Sequence, residues 1–187
     1  MDLVARAKGI LTAPKAEWPV IAGESTGPAE LYAGYVAPLA AITPVASILG
    51  NLLFNGGLSF SASVAIGVVA FAMALVSVYV LGLIASKIAP SFGGKDDLAQ
   101  GLKLVAYAYT ASWVAGIFSL VPALALISMI GGLYSLYILY TGASAMMGVP
   151  RERSVAYTAV VILVAIGLYI VIATILGAVI AAGSLAR

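Results

Sequence analysis

The sequence has no cysteine and no histidine among its 187 residues. These absences exclude disulfide frameworks, thiolate or imidazole metal sites, cysteine nucleophiles and histidine-based acid–base catalysis. Charged residues are also scarce, at 9% of the chain against roughly 25% in an average soluble domain. Hydrophobic residues make up 63%, and the mean hydropathy is +1.14. We therefore expect a membrane protein without a separate soluble domain.

Most of the chain consists of long apolar segments. There are five of them, at about residues 31–54, 62–86, 102–120, 122–146 and 155–182. About 20 helical residues cross a hydrocarbon core of roughly 30 Å, so each segment predicts a transmembrane helix. The expected fold is all-α, with residues 31–187 forming a bundle of five transmembrane helices. The third and fourth segments are so close in sequence that they must form an antiparallel hairpin, although a re-entrant pair would have the same hydropathy.

Residues 1–30 are expected to form a cytoplasmic amphipathic helix and a linker. Apolar residues recur at helical spacing over residues 2–12, namely Leu3, Val4, Ala7, Ile10 and Leu11. Asp2, Arg6 and Lys8 are expected elsewhere on the helical wheel, which predicts an amphipathic surface helix. This helix either packs on the protein's own spans or lies among the lipid headgroups.

Two prolines are expected to break this helix before the first span. Pro14 and Pro19 cannot donate a backbone hydrogen bond, and Trp18 between them is typical of the membrane–water boundary. Residues 23–29 resemble a linker. Charges are interleaved throughout residues 1–30, so we expect no cleaved signal peptide.

The basic residues predict the orientation in the membrane. Eight of the nine fall on one side of a five-span bundle: Arg6, Lys8, Lys15, Lys87, Lys95, Lys103, Arg151 and Arg153. Because cytoplasmic loops are enriched in lysine and arginine, we expect a cytoplasmic N-terminus and a C-terminus outside. The location would be the inner or plasma membrane of a prokaryotic source.

The predicted spans contain neutral polar residues but no charge near their centres, which argues against a proton-coupled transporter. The candidate intramembrane polar seam comprises Thr43, Ser47, Asn51, Tyr107, Thr110, Tyr134, Tyr137 and Thr141. Such residues either join helices by hydrogen bonds or line a hydrated path. Small residues at four-residue spacing, Ala108, Ser112 and Gly116 in one span and Ala173, Gly177 and Ala181 in another, favour close packing within the chain or a homo-oligomer.

The polar residues near the cytoplasmic side are the candidate contacts for a partner or an anionic lipid headgroup. We select Arg151, Arg153, Lys103, Glu30 and Tyr32. The other interpretation is that the basic residues only set the topology and contact lipid phosphates. Asp96 or Asp97 is expected to cap the helix of the third span rather than bind a metal with its neighbour, and no cofactor is expected. The basic residues are too few and too dispersed for nucleic-acid binding.

Several motifs together resemble the Yip family of multi-span membrane proteins, which is named in eukaryotes for interaction with Ypt/Rab GTPases. They are Ile10-Leu11-Thr12-Ala13-Pro14-Lys15-Ala16-Glu17-Trp18, Glu30-Leu31-Tyr32, the Tyr107/Tyr109 region, and Tyr140-Thr141-Gly142 before Gly148-Val149-Pro150. The eukaryotic branch has Asp-Leu-Tyr-Gly-Pro where this chain reads Glu30-Leu31-Tyr32-Ala33-Gly34, and its long cytosolic N-terminal region is absent here. The resemblance therefore implies a bacterial-type member, without carrying over GTPase binding.

Two functions follow from these observations. The first is a non-enzymatic protein that organises a membrane or a membrane complex, with membrane lipids and a cytoplasmic or membrane protein as partners. The second is a passive channel or carrier for a small solute, ion or lipid. A continuous hydrated cavity along the polar seam would favour the second, and a dry bundle would favour the first.

Overall fold

The computed structural model describes residues 2–54 and 57–185, and within these residues every regular element is helical. The turn expected at residues 55–57 lies partly outside the described residues. The elements are α1 Leu3–Thr12, α2 Pro14–Gly23, α3 Pro28–Leu31, α4 Ala37–Ala40, α5 Ile42–Leu53, α6 Phe60–Ile88, α7 Leu98–Ala108, α8 Thr110–Ala115, α9 Ala125–Met147 and α10 Arg151–Leu185. A π-helix, Tyr32–Val36, joins α3 to α4, and 3₁₀ turns lie at Ala89–Phe92, Gly116–Leu120 and Pro122–Leu124.

Four stretches of the described residues are long and apolar enough to cross a membrane: Pro28–Leu53, Phe60–Phe92, Leu126–Met147 and Arg151–Ala178. Local signals explain where several helices begin and end. The side chains of Asp2, Ser59 and Asp97 accept hydrogen bonds from backbone N–H groups in the first turns of α1, α6 and α7. Gly148, at φ 66°, ends α9 in the left-handed conformation that glycine adopts without strain. The chain is an all-α polytopic membrane protein.

The third predicted span, residues 102–120, is not one regular helix. It is divided at Tyr109 into α7 and α8, and its end is a 3₁₀ turn. The Thr110 hydroxyl donates to the Tyr107 carbonyl at 2.7 Å, a local side-chain hydrogen bond that competes with regular helix geometry at this break. The segment nevertheless packs along α9 in the expected hairpin. It also runs beside the first span from Tyr35 to Gly50, where Tyr35 meets Thr110 and Gly50 meets Leu120.

The predicted break at residues 14–19 is wrong in part, because residues 14–23 form a helix that packs into the bundle. Residues 24–27 of the predicted linker form no helix. Pro14 is tolerated because it occupies the first turn of α2, where the backbone N–H has no partner within the helix. Trp18 is completely buried against α9 rather than exposed at a membrane boundary. Helices α1 and α2 therefore form an N-terminal hairpin that belongs to the core.

One end of the bundle gathers the N-terminal hairpin and two connections. The Lys95 N–H donates to the Met147 carbonyl at 2.8 Å, which joins the α6–α7 connection to the end of α9. The Gln100 side chain donates to the Ala22 carbonyl at 3.1 Å, which joins the start of α7 to α2. We call this the basic end, defined by residues 22–27, 89–97 and 148–154. The predicted clustering of basic connections on one side of the bundle agrees with this arrangement.

Candidate functional site at the basic end

A charged cluster joins the N-terminal hairpin to the rest of the bundle. The Arg6 side chain is buried, at 9% exposure, and its guanidinium donates to the carboxylates of Glu17 and Glu24. Lys103 is 3% exposed and donates to the Glu24 backbone carbonyl. The Arg6 guanidinium carbon also lies 6.0 Å from the ring centroid of Tyr107, within the range of a cation–π contact. Arg6 thus holds both ends of α2 and faces the core.

An open cavity of about 630 Å³ adjoins this cluster. Its polar lining is mostly acidic and includes Asp2, Glu17, Glu24 and Glu30 beside Arg6. Among the described residues there is no group of three acidic side chains placed to bind a metal ion. Glu17 and Glu24 pair with the Arg6 guanidinium, and Asp2 caps α1.

Three buried aromatic side chains fill the bundle centre below the charged cluster. Trp18, Tyr35 and Tyr107 have no exposed surface. The Tyr35 and Tyr107 ring centroids are 4.6 Å apart, and Trp18 meets Tyr107 edge-on at 6.4 Å. The Tyr35 hydroxyl pairs with the Thr110 hydroxyl at 2.7 Å. We call Trp18, Tyr35 and Tyr107 the aromatic cluster; it brings together α2, the first span and α7.

Trp18 is fixed by polar contacts as well as by packing. Its indole N–H donates to the Ile138 carbonyl at 3.2 Å and to the Thr141 hydroxyl at 3.1 Å. The ring packs on α9 at Gly142, where an added Cβ would come within 2.6 Å of the indole. Glycine is required at this position because a Cβ would collide with the buried indole and with the Leu104 side chain.

The predicted contact residues at the cytoplasmic side do not form one surface. Lys103 was expected to contact a partner, and this interpretation is wrong because its side chain is buried and bonded within the chain. Glu30 is exposed beside the acidic cavity, whereas Tyr32 is half-buried and donates to the Leu75 carbonyl at 3.0 Å. Arg151 and Arg153, treated as a pair, are both exposed but face different neighbours.

The two arginines separate because they are two residues apart on α10. Residues at this spacing do not share a helix face. Arg151 lines a cavity against α2 and α9, while the Arg153 guanidinium lies near Gly93 in the α6–α7 connection.

The polar seam is divided into three places. Thr43, Ser47 and Asn51 line a cavity of about 530 Å³ between α5, α6 and α8. Tyr107 and Thr110 lie in the core with Tyr35. The α9 residues turn toward the N-terminal hairpin, where Tyr134 donates to the Leu11 carbonyl at 2.8 Å, Tyr137 stacks on Tyr134 at 5.6 Å and Thr141 bonds Trp18.

Some of these polar residues have defined structural roles. The Asn51 amide donates to the Leu58 carbonyl at 2.9 Å and to the Ser63 hydroxyl at 2.8 Å, which ties α5 to the start of α6. In the small-residue ladder of residues 108–116, Ser112 bonds Ser135 of α9 at 2.9 Å and Gly116 lies against Thr43. This ladder therefore serves packing within the chain. Gly177 of the other ladder has no neighbour within 4 Å of an added Cβ.

The two adjacent aspartates act separately. The Asp97 side chain accepts from the Gln100 N–H at 3.1 Å and caps α7, which confirms the capping prediction. Asp96 accepts from the Lys87 ammonium at 2.7 Å and from the Ser86 hydroxyl at 2.5 Å. These two hydrogen bonds, Lys87 first, lower the pKa of the Asp96 carboxyl from its ordinary value of 3.8.

Comparison with known proteins decides the family. The Yip1 domain model matches residues 8–182, which is nearly the whole chain. The chain belongs to the Yip1 domain family. It is 24% identical over 161 residues to the inner membrane protein YohC of Escherichia coli strain K12, covering 80% of this chain and 83% of that protein. YohC of Escherichia coli O6:H1 gives the same identity and coverage. No solved structure matches the chain significantly.

The Yip1 domain match begins at residue 8, so it includes α2 and the last part of α1. This agrees with the structure, in which the N-terminal hairpin supplies Trp18 to the core of the domain. The family resemblance seen in residues 10–18 therefore falls on a packed element. The tryptophan in that motif is an internal anchor of this Yip1 domain.

Sequence reasoning missed the role of Arg6, although a signal was present. On an α-helix, residues four apart are separated by only about 40°, so Arg6 shares a face with the buried Ile10. A charged residue on an apolar face needs a buried partner. Glu17 and Glu24 were the available carboxylates, but only the hairpin brings them to Arg6.

Proposed function

We propose that this Yip1-family protein is a non-enzymatic membrane protein that organises a membrane or a membrane complex through its basic end. The E. coli relatives are named as inner membrane proteins. We extend that location to this chain, with the N-terminus in the cytoplasm and the C-terminus outside. The basic end would then face the cytoplasm.

The observation that carries this proposal is the filled centre of the bundle. The aromatic cluster and the residues of α7 around it are buried, so the polar residues on either side of them do not join into one path. A conduit needs such a path, whereas a protein that binds partners needs an accessible surface. The basic end offers that surface, because Lys15, Lys95, Arg151 and Arg153 lie around it.

The second candidate is a passive channel or carrier for a small solute, ion or lipid. One observation favours it, namely the 530 Å³ cavity that contains Thr43 and Ser47. The remaining lining is largely apolar and includes Ile66 and Leu176. This chemistry suits an acyl chain or a small amphipathic solute better than an ion.

Affinity purification from native membranes tests the leading proposal. We expect wild-type protein to retain a reproducible set of proteins or lipids that a polytopic control protein at equal expression does not retain. Replacing Arg151 and Arg153 with Gln should weaken that retention while the variant still inserts. If wild type and control retain the same set, the organising role is contradicted. If the variant inserts correctly and retains the wild-type set, these arginines are topology signals only.

Two further measurements address the orientation and the second candidate. A reporter fused after the last residue should be active only outside the cytoplasm, and a cytoplasmic signal would contradict the five-span orientation. Vesicles containing the purified protein should release small solutes no faster than empty vesicles. Release that changes on substitution of Thr43 or Ser47 would favour the conduit instead.

A further inference from the structure

A second cavity at the basic end, of about 540 Å³, lies between α2, the last turns of α9 and the first turn of α10. Its walls include Lys15, Trp18, Tyr140, Ser144 and Arg151. It is separate from the acidic cavity, which lies on the Arg6 side of α2. We infer that this cavity binds the phosphate group of an anionic phospholipid. The inference rests on the proposed function, since it assigns a ligand to the same end of the bundle.

The charge of the cavity is the first argument. Lys15 and Arg151 are the charged residues in its lining, and no carboxylate among the described residues lines it. Neither cation forms a salt bridge within the described part of the chain. Two unpaired cations on one concavity concentrate positive potential, because the low-dielectric walls focus the field. The favoured ligand is therefore an anion.

The hydrogen-bond donors of the cavity suit the oxygens of a phosphate. Over the described residues, the hydroxyls of Tyr140 and Ser144 form no hydrogen bond, so both remain able to donate to a ligand. Lys15 offers a compact ammonium and Arg151 a planar guanidinium, and both are common phosphate-binding groups. Arg151 also begins the 35-residue α10, whose positive end opens on the same cavity.

The surface beside the cavity points to a lipid rather than to a soluble phosphate. A stripe along one face of α9 leads away from Tyr140 toward the other end of the bundle. It consists of exposed apolar and aromatic residues, namely Tyr137, Leu133, Ile130 and Leu126, which are 42%, 58%, 64% and 77% exposed. A phosphate held by Lys15 and Arg151 would place its acyl chains along this stripe. Tyrosines 137 and 140 then lie where the headgroup meets the chains, as is common for aromatic residues in membranes.

Binding of phosphatidylglycerol to the full-length chain in detergent micelles, measured by native mass spectrometry, tests the inference. The double variant Lys15→Gln/Arg151→Gln should bind phosphatidylglycerol about thirtyfold more weakly. Each basic residue near an anionic headgroup contributes about fivefold to the affinity, and the two factors multiply. The single variants Lys15→Gln and Arg151→Gln should each bind about fivefold more weakly. Their matched control is Lys8→Gln, which removes one charge from an exposed residue outside the cavity lining. It should bind within about twofold of wild type. A loss in Lys8→Gln equal to the loss in either single variant would mean diffuse attraction and would overturn the site.

Three further arms make the result specific. Ser144→Leu fills the cavity without changing the charge, so it should also lose phosphatidylglycerol, and normal binding by this variant would contradict the assigned position. Phosphatidylcholine with the same acyl chains should bind more weakly than phosphatidylglycerol. Inorganic phosphate should not displace the lipid, and displacement at millimolar concentration would assign the cavity to a soluble phosphate. Thermal midpoints of all variants in the same detergent should match wild type, which separates lost binding from lost folding.

Failure of the lipid inference is distinguishable from failure of the proposed function. If purified wild type does not prefer the anionic lipid but still captures its native partners, only the lipid inference falls. If the lipid binds as expected and no specific partner or lipid set is captured from membranes, only the proposed organising role falls.

Discussion

Trp18→Ala is the substitution that best tests how the N-terminal hairpin is held. The indole is completely buried, donates to Ile138 and Thr141, and meets Tyr107 edge-on. Replacing a buried tryptophan with alanine typically costs about 3–5 kcal/mol. Since Trp18 contributes to the contact between α2 and α9, most of this cost should weaken docking of the hairpin rather than unfold the spans.

Trp18→Phe separates packing from hydrogen bonding. It keeps a large aromatic ring but removes the indole N–H, so its expected cost is about 1 kcal/mol. Val20→Ala is the matched control on the same helix, because the Val20 side chain is 55% exposed and surface substitutions usually change stability by less than about 0.5 kcal/mol.

Proteolysis of the segment between α2 and α3 gives a direct assay. Residues 24–27 form no helix and become more accessible when the hairpin opens. When the hairpin opens and closes faster than the protease cuts, the cleavage rate follows the free energy of opening. Trp18→Ala should therefore accelerate cleavage about 10² to 10³-fold, and Trp18→Phe about fivefold. Cleavage of Trp18→Ala at the wild-type rate would refute the reasoning, and would restore the interpretation of α2 as a surface segment.

The remaining predictions concern the charged cluster, a pH-dependent pair and a helix crossing. Arg6→Met should destabilise the protein by about 2 kcal/mol in denaturant titrations, less than a fully buried pair, because its carboxylate partners are 22% and 30% exposed. The pKa of Asp96 is lowered, so the stability that its pair with Lys87 contributes is present above about pH 4 and is lost as the pH falls through the folded-state pKa. Asp96→Asn should therefore lower the thermal midpoint at pH 7. The midpoint of this variant should also fall less in acid than that of wild type. Gly101→Ala should cost about 1–3 kcal/mol by the same titration, because the added Cβ would collide with the Gly82 carbonyl where α6 and α7 cross.

Each of these predictions has a matched control. Lys8→Met removes an exposed cation from the same helix as Arg6 and should have little effect. Asp97→Asn keeps a good helix cap and should preserve the acid dependence assigned to Asp96. Gly167→Ala lies in open space within α10 and should be neutral or slightly stabilising. Equal effects of a variant and its control would contradict the corresponding contact.

Four of the five predicted spans overlap helical stretches long and apolar enough to cross a membrane, and residues 102–120 do not. The four could be predicted because hydropathy over 20 or more residues reports directly on the solvent that surrounds a helix. The charge pattern likewise placed the connections at 89–97 and 148–150 together, and the Lys95–Met147 hydrogen bond joins them. The break at Tyr109 was missed. It coincides with a local hydrogen bond from Thr110 to the Tyr107 carbonyl, which hydropathy does not register.

The candidate site was less predictable because it is made of contacts distant in sequence. Trp18 meets Thr141 across 123 residues, and Lys103 meets Glu24 across 79. No local pattern specifies such a pair. The separation of Arg151 from Arg153, in contrast, could be predicted from a local pattern. Two residues at this spacing on a helix point to different faces.

The aromatic cluster links the fold to the choice between the two candidate functions. Trp18 is the contribution of the N-terminal hairpin to this cluster, so loosening the hairpin should also loosen the filled centre of the bundle. Trp18→Ala therefore bears on the conduit as well as on stability. If the cluster is a gate, vesicles that contain the variant should release solute faster than vesicles that contain wild type. If the cluster is only a core, release should stay at the rate of empty vesicles. The segment between α2 and α3 should be cleaved faster in either case. The proposed organising role requires the second result, because a bundle held together for binding has no path to open.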